Sequence, residues 1–383
     1  MIISETMMNF RNSTTAVSFC DFSSMHAEVG REINIAIQRV FERDNYILGQ
    51  EVSAFEEELA VWLGVENVIG VGCGTDALVL ALLALDVKAG DEVITTDLTA
   101  FPTIAAILQI RAVPIPVDIN SSTGLISSEQ ICDAITGRTK GIIPVHLYGR
   151  SCDMTSISKI ARNHGLWVIE DCAQSIGAYH AGRVTGSFGS LAAFSFYPTK
   201  NLGAYGDAGA VVCTDSKQAK RLQGLRNYGQ TSSKKIAEAG INSRLDELQA
   251  AILRVKLKHL KKWTARRCHI AERYREFLPE EILPSEHPIG ENVHHLFPIL
   301  VPARTEFRRH LQSEGVDSLV HYSCPVHRQP VLTPMPEEHF PETNKWCDLV
   351  VSLPLHPHLT EDVQDQIIKA TMQALRKSRT GSC

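Results

Sequence analysis

Leu166-Trp167-Val168-Ile169-Glu170-Asp171-Cys172-Ala173-Gln174 decides the fold of this chain. Four apolar residues run straight into two carboxylates, the pattern of a strand buried on both faces that stops at Asp171. Such strands belong to parallel sheets, and in those sheets ligands collect beyond the carboxyl ends of the strands. Downstream, the apolar stretch Leu191 to Phe196 leads into Ser195-Phe196-Tyr197-Pro198-Thr199-Lys200. That strand must stop by Pro198, which has no N–H for a ladder. Lys200 is therefore expected in a loop, with its amine projecting into a cleft, and a Gly-rich turn from Asn201 to Asp207 follows at once. Alone, Asp171 also reads as an N-cap and Lys200 as a surface charge. Together they are the two groups that pyridoxal phosphate chemistry requires. A lysine forms a Schiff base with the aldehyde, and a carboxylate keeps the pyridine nitrogen protonated so that the ring accepts electrons. Gln174, three residues on, is placed to donate to the ring hydroxyl.

Outward from this stretch the chain alternates. Strands are expected at Val65 to Val71, Glu92 to Thr95, Ala112 to Val117, Gly141 to Leu147 and Gly209 to Thr214. Helices fall between them at Thr75 to Leu85, Pro102 to Ile110, Ser127 to Ile135 and Thr155 to His164. Alternation of this kind implies parallel pairing with helices on both faces. Two further helices precede the first strand, one carrying Val29, Ile33, Ile37 and Val40, the other running from Val52 to Leu63. A long helix is expected from Asn242-Ser243, with Ser243 and Asp246 as a capping pair. Its basic run, Lys256 to Lys262, reads as a solvated face. Beyond it the pattern changes, with strands at His295 to Val301 and Asp317 to His321. The expected division is a large cofactor-binding domain over 1–258, its first ~20 residues flexible, and a small C-terminal α/β domain over 259–383. A length of 383 residues accommodates both.

The turn Gly70-Val71-Gly72-Cys73-Gly74-Thr75 joins a strand to an apolar helix. Glycines allow close backbone approach, and the N–H groups that open the helix favour an anion such as phosphate. A plain βα turn explains the same residues equally well. Ser195, ending its strand, is in position to reach the same phosphate. The turn is neither a Walker loop nor a full G-x-G-x-x-G pattern, although a nicotinamide oxidoreductase is the rival enzyme class it leaves open.

Other classes fit poorly. The net charge of −5 offers no field for nucleic acid. No apolar run approaches the ~20 residues that cross a bilayer, and the N-terminus lacks the layout of a secretory signal. The ten cysteines show no C-x-x-C pair, which fits reduced thiols in a cytoplasm. His146, His321 and His327 lack metal-ligand spacing, so no metal is expected. No G-x-S-x-G elbow is present.

Seven ordered segments then carry a resemblance. They are Gly74-Thr75-Asp76-Ala77-Leu78, Gly90-Asp91-Glu92-Val93-Ile94, Pro144-Val145-His146-Leu147-Tyr148-Gly149, Glu170 to Gln174, Ser195 to Gly209, Arg226-Asn227-Tyr228-Gly229, and Gly240 to Ala251. From about Asn45 to about Pro330 the chain resembles the DegT/DnrJ/EryC1/StrS sugar aminotransferases, which are fold-type I pyridoxal phosphate enzymes. The resemblance implies that Lys200 holds the cofactor aldehyde, Asp171 pairs with the pyridine nitrogen and Gln174 lies by the ring oxygen. It implies Gly74, Thr75 and Ser195 as phosphate ligands, joined by Asn242 from a neighbouring subunit, hence a homodimer with shared active sites. Tyr197, His321 and Tyr322 match positions that face the sugar; Arg226 has no settled role. Relatives that dehydrate replace the lysine with histidine, and Lys200 is intact. Where relatives place an aromatic over the cofactor ring, this chain has Ala100, so either Phe101 supplies the stack or the ring face is covered otherwise. The implied activity is amino transfer from L-glutamate to a nucleotide-linked keto-6-deoxysugar, dTDP being the expected carrier. C3 is favoured by the run Asn242 to Gln249, with C4 as the alternative. A cofactor-binding regulator without turnover is the non-enzymatic rival.

Overall fold

Alternate side chains along each central strand enter different cores, which is what a sheet covered on both faces demands. Along Leu191 to Phe194, Leu191 and Ala193 join one apolar cluster while Ala192 and Phe194 join another. The computed structural model describes residues 17–231, 233–286 and 290–380. Most of the segment expected to be flexible lies outside the described residues.

The helices are α1 (Phe22–Arg43), α2 (Gln50–Leu63), α3 (Gly74–Ala84), α4 (Pro102–Gln109), α5 (Ser128–Asp133), α6 (Met154–His164), α7 (Ser216–Leu225), α8 (Glu247–Phe277), α9 (Arg304–Ser313), α10 (Pro341–Leu349) and α11 (Glu361–Thr380). The strands are β1 (Asn67–Val71), β2 (Glu92–Thr96), β3 (Val113–Val117), β4 (Thr139–Ile143), β5 (Trp167–Asp171), β6 (Tyr179–His180), β7 (Arg183–Val184), β8 (Leu191–Ser195), β9 (Gly209–Cys213), β10 (Gly290–Glu291), β11 (Phe297–Leu300) and β12 (Val350–Leu353). Seven strands form the central sheet in the order β1-β9-β8-β5-β4-β2-β3. Pairing is parallel from β8 across to β3. Only β9 runs against both its neighbours, so the sheet is mostly parallel. No helix among the described residues is long and apolar enough to cross a membrane.

One face of the sheet packs on α3, α4 and α7 through residues such as Leu80, Ile107 and Leu222. The other packs on α2 and α8 through Phe55, Leu59 and Leu253, and on α5 and α6 through Ile131 and Ile157. α8 continues into a separate core, where Ile270 and Tyr274 meet β11, α9, β12 and α11. The antiparallel pair β11–β12 centres that core.

Three local expectations change. The long helix begins at Glu247, with Asp246 at its N-cap making no side-chain cap bond. Ser243 Oγ instead accepts the Gly72 N–H at 2.9 Å, tying this segment to the β1–α3 turn. Asp317 to His321 forms no strand, only a single bridge between Leu319 and Ser352. The strand that pairs β11 is β12, from further along the chain. The basic run of α8 is also not uniformly solvated. Lys258, Lys261 and Lys262 are exposed, but Lys256 is fully buried and donates to the Gly203 carbonyl at 2.6 Å. Leu253, three residues before it, and Leu260, four after it, both join the core shared with the sheet, which puts Lys256 on the buried side of α8.

Candidate active site

Sheet register assembles the site. Antiparallel pairing sets Gly209 opposite both Val71 and Ser195, and parallel pairing sets Asp171 beside Ala193. The ends of β1, β5 and β8 therefore meet at one edge, where α3 starts at Gly74. Backbone and side chains are tight there. A Cβ on Gly74 would lie 2.7 Å from Ser195 Cβ, and one on Gly209 would lie 2.5 Å from the Cys73 carbonyl. Any side chain at either position would fill the cradle. The opening turn of α3 brings its free N–H groups and partial positive charge to the same place.

Asp171 is buried at the end of β5. Its Oδ2 accepts from Thr103 Oγ1 at 2.9 Å and its Oδ1 from the Ala173 N–H at 3.1 Å. Burial raises its pKa above the ordinary carboxyl value, against the pull of these two donors and of the Lys200 charge. Burial likewise lowers the Lys200 amine to about 8, with Asp171 opposing the shift. Each group thus leans toward its neutral form, and each favours the charged form of the other.

Lys200 opens into a cavity of about 560 Å³ whose wall includes Gln174, Tyr197, Thr199, His321 and Tyr322. Gln174 is held at both ends, its Oε1 accepting the Tyr148 N–H at 2.7 Å and its Nε2 donating to the Tyr322 hydroxyl at 3.2 Å. Burial, reinforced by Asp171, keeps the Tyr322 hydroxyl protonated, its pKa pushed up to about 12 despite the Gln174 bond. Burial, then Lys200 and Arg308, lowers His321 to about 4, so its ring is neutral near pH 7. Its Nδ1 lies 2.8 Å from Ser352 Oγ.

Of the expected site residues, the structure brings Lys200, Gln174, Tyr197, His321 and Tyr322 to one cavity. Asp171 stands within electrostatic reach of Lys200, and Gly74 and Ser195 form the adjoining cradle with Thr75 next in the helix. Asn242 is not brought in. It is exposed on this chain and bridged to Asn227 through the backbone. Phe101 is 38% exposed and does not line the cavity. Arg226 serves architecture, donating to Glu56 and to the Gly70 carbonyl at 2.5 and 2.7 Å. His146, Glu170 and Cys172 place their ligand-type atoms within 4.8 Å of one another, but both His146 ring nitrogens are engaged, by the Cys152 N–H and by Glu170. Two contributors escaped the sequence reading. Thr103 closes Thr99-Ala100-Phe101-Pro102-Thr103, the stretch in which Ala100 stands where relatives have an aromatic, and holds Asp171; Tyr148 sits in the Pro144-to-Gly149 segment and holds Gln174. Each was legible as part of a motif, but its partner was not.

The donor set fits pyridoxal phosphate. The amine with depressed pKa lines the cavity, the buried carboxylate short of a cation is within its electrostatic reach, and the helix start that tolerates no side chain adjoins them. The comparisons agree. The sequence model of the DegT/DnrJ/EryC1/StrS aminotransferase family matches residues 27–372. The chain is 43% identical over 363 residues to the erythromycin biosynthesis sensory transduction protein EryC1 of Saccharopolyspora erythraea, covering 94% of this chain and 99% of that one. It is 40% identical over 371 residues to the dTDP-3-amino-3,4,6-trideoxy-alpha-D-glucose transaminase of Streptomyces venezuelae, covering 96% and 98%. The crystal structure of S. venezuelae DesV superposes with a TM-score of 0.92 at 40% identity, covering 94% of this chain and 99% of that one.

Proposed function

The chain belongs to the DegT/DnrJ/EryC1/StrS aminotransferase family, and on that premise we propose that it transfers an amino group from L-glutamate to C3 of a dTDP-linked keto-6-deoxysugar. It is a pyridoxal-phosphate-dependent nucleotide-sugar aminotransferase. The observation that carries the reading is the Lys200 amine, lowered to about 8 beside buried Asp171 and open to a cavity of about 560 Å³. The likeness to a transaminase named for a dTDP-3-amino sugar supports C3.

Pyridoxal phosphate, when bound, supplies an aldehyde that takes up the amino group and a ring that accepts the electron pair left by a departing proton. The protein supplies the rest. Gly74, Thr75 and Ser195 would hold the phosphate, and Asp171, oriented by Thr103 and Ala173, would hold the proton on the ring nitrogen. Lys200 is the proton carrier. With a pKa of about 8, its Nζ is partly unprotonated at neutral pH and takes a proton from the α-carbon of the amino donor. It returns one to the sugar carbon when the second substrate is in place. Tyr197, His321 and Tyr322 would face the sugar, with Tyr322 and the neutral His321 as hydrogen-bonding groups. Two half-reactions sharing one site give ping-pong kinetics.

The same residues serve amination at C4. Incubating purified holoenzyme with L-glutamate and 3-keto or 4-keto dTDP sugars, and assigning the aminated carbon by NMR, separates the two. Product aminated at C4 moves the chain to that alternative. Absence of transfer from any amino donor to any nucleotide sugar overturns the reading. The name of the S. erythraea relative favours one other reading, a cofactor-binding regulator; it predicts a chain that binds the cofactor and never gives its nitrogen to a sugar.

We also propose a homodimer with shared active sites. The exposure of Asn242 on its own chain supports it, since that residue is then available to a neighbour's phosphate cradle. Sedimentation at micromolar concentration tests the assembly. A cytoplasmic location goes with this reading, supported by the free cysteines among the described residues.

A further inference from the structure

The cavity that holds Lys200 has several cations in its wall. Lys200, Arg267, Arg304 and Arg308 all line it, and among the described residues no Asp or Glu does. Arg267, projecting from α8, is only 8% exposed. Its Nη1 donates to the carbonyls of His294, His295 and Leu355 at 3.2, 3.4 and 2.7 Å. Its remaining N–H groups take no partner among the described residues, and no carboxylate pairs with it. A buried cation left so is costly unless an anion completes it.

Arg304 opens α9, and Thr305 follows. The N-cap residue, Ala303, offers no side-chain cap, so the first N–H groups of the helix await an acceptor at the cavity wall. Arg308, one turn on, donates from Nε to Ser318 Oγ at 3.2 Å and from Nη2 to the Ser318 carbonyl at 2.9 Å, which fixes its plane. A second cavity of about 330 Å³ shares Arg304, Thr305 and Arg308 with the first and extends beyond them. The arginines therefore stand between the Lys200 cavity and a further open space.

We propose that Arg267, Arg304, Thr305 and Arg308 form the subsite for the diphosphate of the nucleotide-linked sugar, the sugar lying toward Lys200 and the nucleoside toward the second cavity. The inference rests on the amination reading for the identity of the substrate. Guanidinium forks match phosphate oxygens in pairs, and a helix N-terminus adds aligned N–H donors. Glutamate is a poorer match. It would occupy a fraction of about 560 Å³ and leave the second cavity without a ligand.

Calorimetry on holoenzyme with thymidine diphosphate and with inorganic pyrophosphate tests the subsite. Wild type binds both, and added salt weakens binding. Arg308→Gln and Arg304→Gln each weaken both probes by about tenfold or more, while Arg308→Lys, which keeps the charge, loses less. Thermal melting separates these losses from misfolding, and the salt dependence of wild type stands whether or not a variant folds. The rate of the spectral change produced by L-glutamate is followed in parallel. Variants that bind pyrophosphate within about twofold of wild type overturn the proposal. So does a glutamate step that falls in proportion to diphosphate affinity, because the wall then serves the amino donor. If wild type shows no glutamate step while diphosphate binding still depends on these arginines, the amination reading fails and the subsite stands.

Discussion

Glu170 and Asp171 are consecutive residues of β5, both buried, and their surroundings differ in one respect. Glu170 is saturated. It accepts the N–H groups of Gly186, Phe188 and Gly189 at 2.8, 2.7 and 2.8 Å and faces His146 Nε2 at 3.0 Å. Because the Cys152 N–H donates to His146 Nδ1, the ring proton sits on Nε2 and is given to Glu170. Asp171 has two donors, Thr103 and Ala173, and a pKa raised by burial. One acid is fully answered by its own chain; the other is left short of a cation at the edge where Lys200 stands. A saturated buried charge holds a fold together, and an unsaturated one is available for chemistry.

That contrast makes rate and stability separable. Lys200→Ala is expected to lower amino transfer by about 10⁴-fold, with a shift in urea stability below about 1 kcal/mol, read from product formation and a denaturation curve on the same protein. A variant with appreciable transfer would break the assignment. Glu170→Gln should do the reverse. Three backbone N–H groups and the His146 N–H would face a neutral amide, at a cost of about 3–5 kcal/mol, seen as an earlier urea midpoint with little change in turnover per folded molecule. An unchanged midpoint would show that the saturation is not structural. Asp171→Asn falls between them, with transfer reduced about 100-fold and stability unchanged or raised, since a desolvated charge is removed. If it destabilises as Glu170→Gln does, the two sides of β5 are not different in kind.

The same contrast explains what could be read from sequence. The placement of Lys200, Asp171 and Gly74 beside strand ends was legible because the strand ends follow from periodicity. The seven strands of the central sheet were legible for the same reason, with bounds shifted by a few residues. Partnerships across sequence distance were not. Ser243 looks like a helix cap until β1 brings Gly72 to it, and Arg226 has no settled role until Glu56 takes its charge. Asp317 to His321 has strand composition, but Val350–Leu353 takes the place beside β11. The arginine wall spans α8 and α9 and has no local signature at all.

Lys256 is the least legible of these residues and carries the smallest predicted effect. It reads as one of several lysines in a basic run, yet it is fully buried, with its Nζ 2.6 Å from the Gly203 carbonyl and 4.0 Å from the centre of the Tyr205 ring. Gly203 lies three residues past Lys200, so this amine pins the loop that carries Lys200. Burial lowers its pKa from 10.5 to about 7. Between those values the unfolded chain holds a proton that the folded chain has released, so the contribution of this group to stability rises with pH across the window and is least below it. Lys256→Met removes that slope. The difference in unfolding free energy between about pH 6 and about pH 9 should change by about 3 kcal/mol relative to wild type, and the loop, freed from its donor, should slow amino transfer by only a few-fold. Parallel stability curves for the two proteins would mean that Lys256 keeps its proton in the fold, the carbonyl and the ring together offsetting the cost of burial.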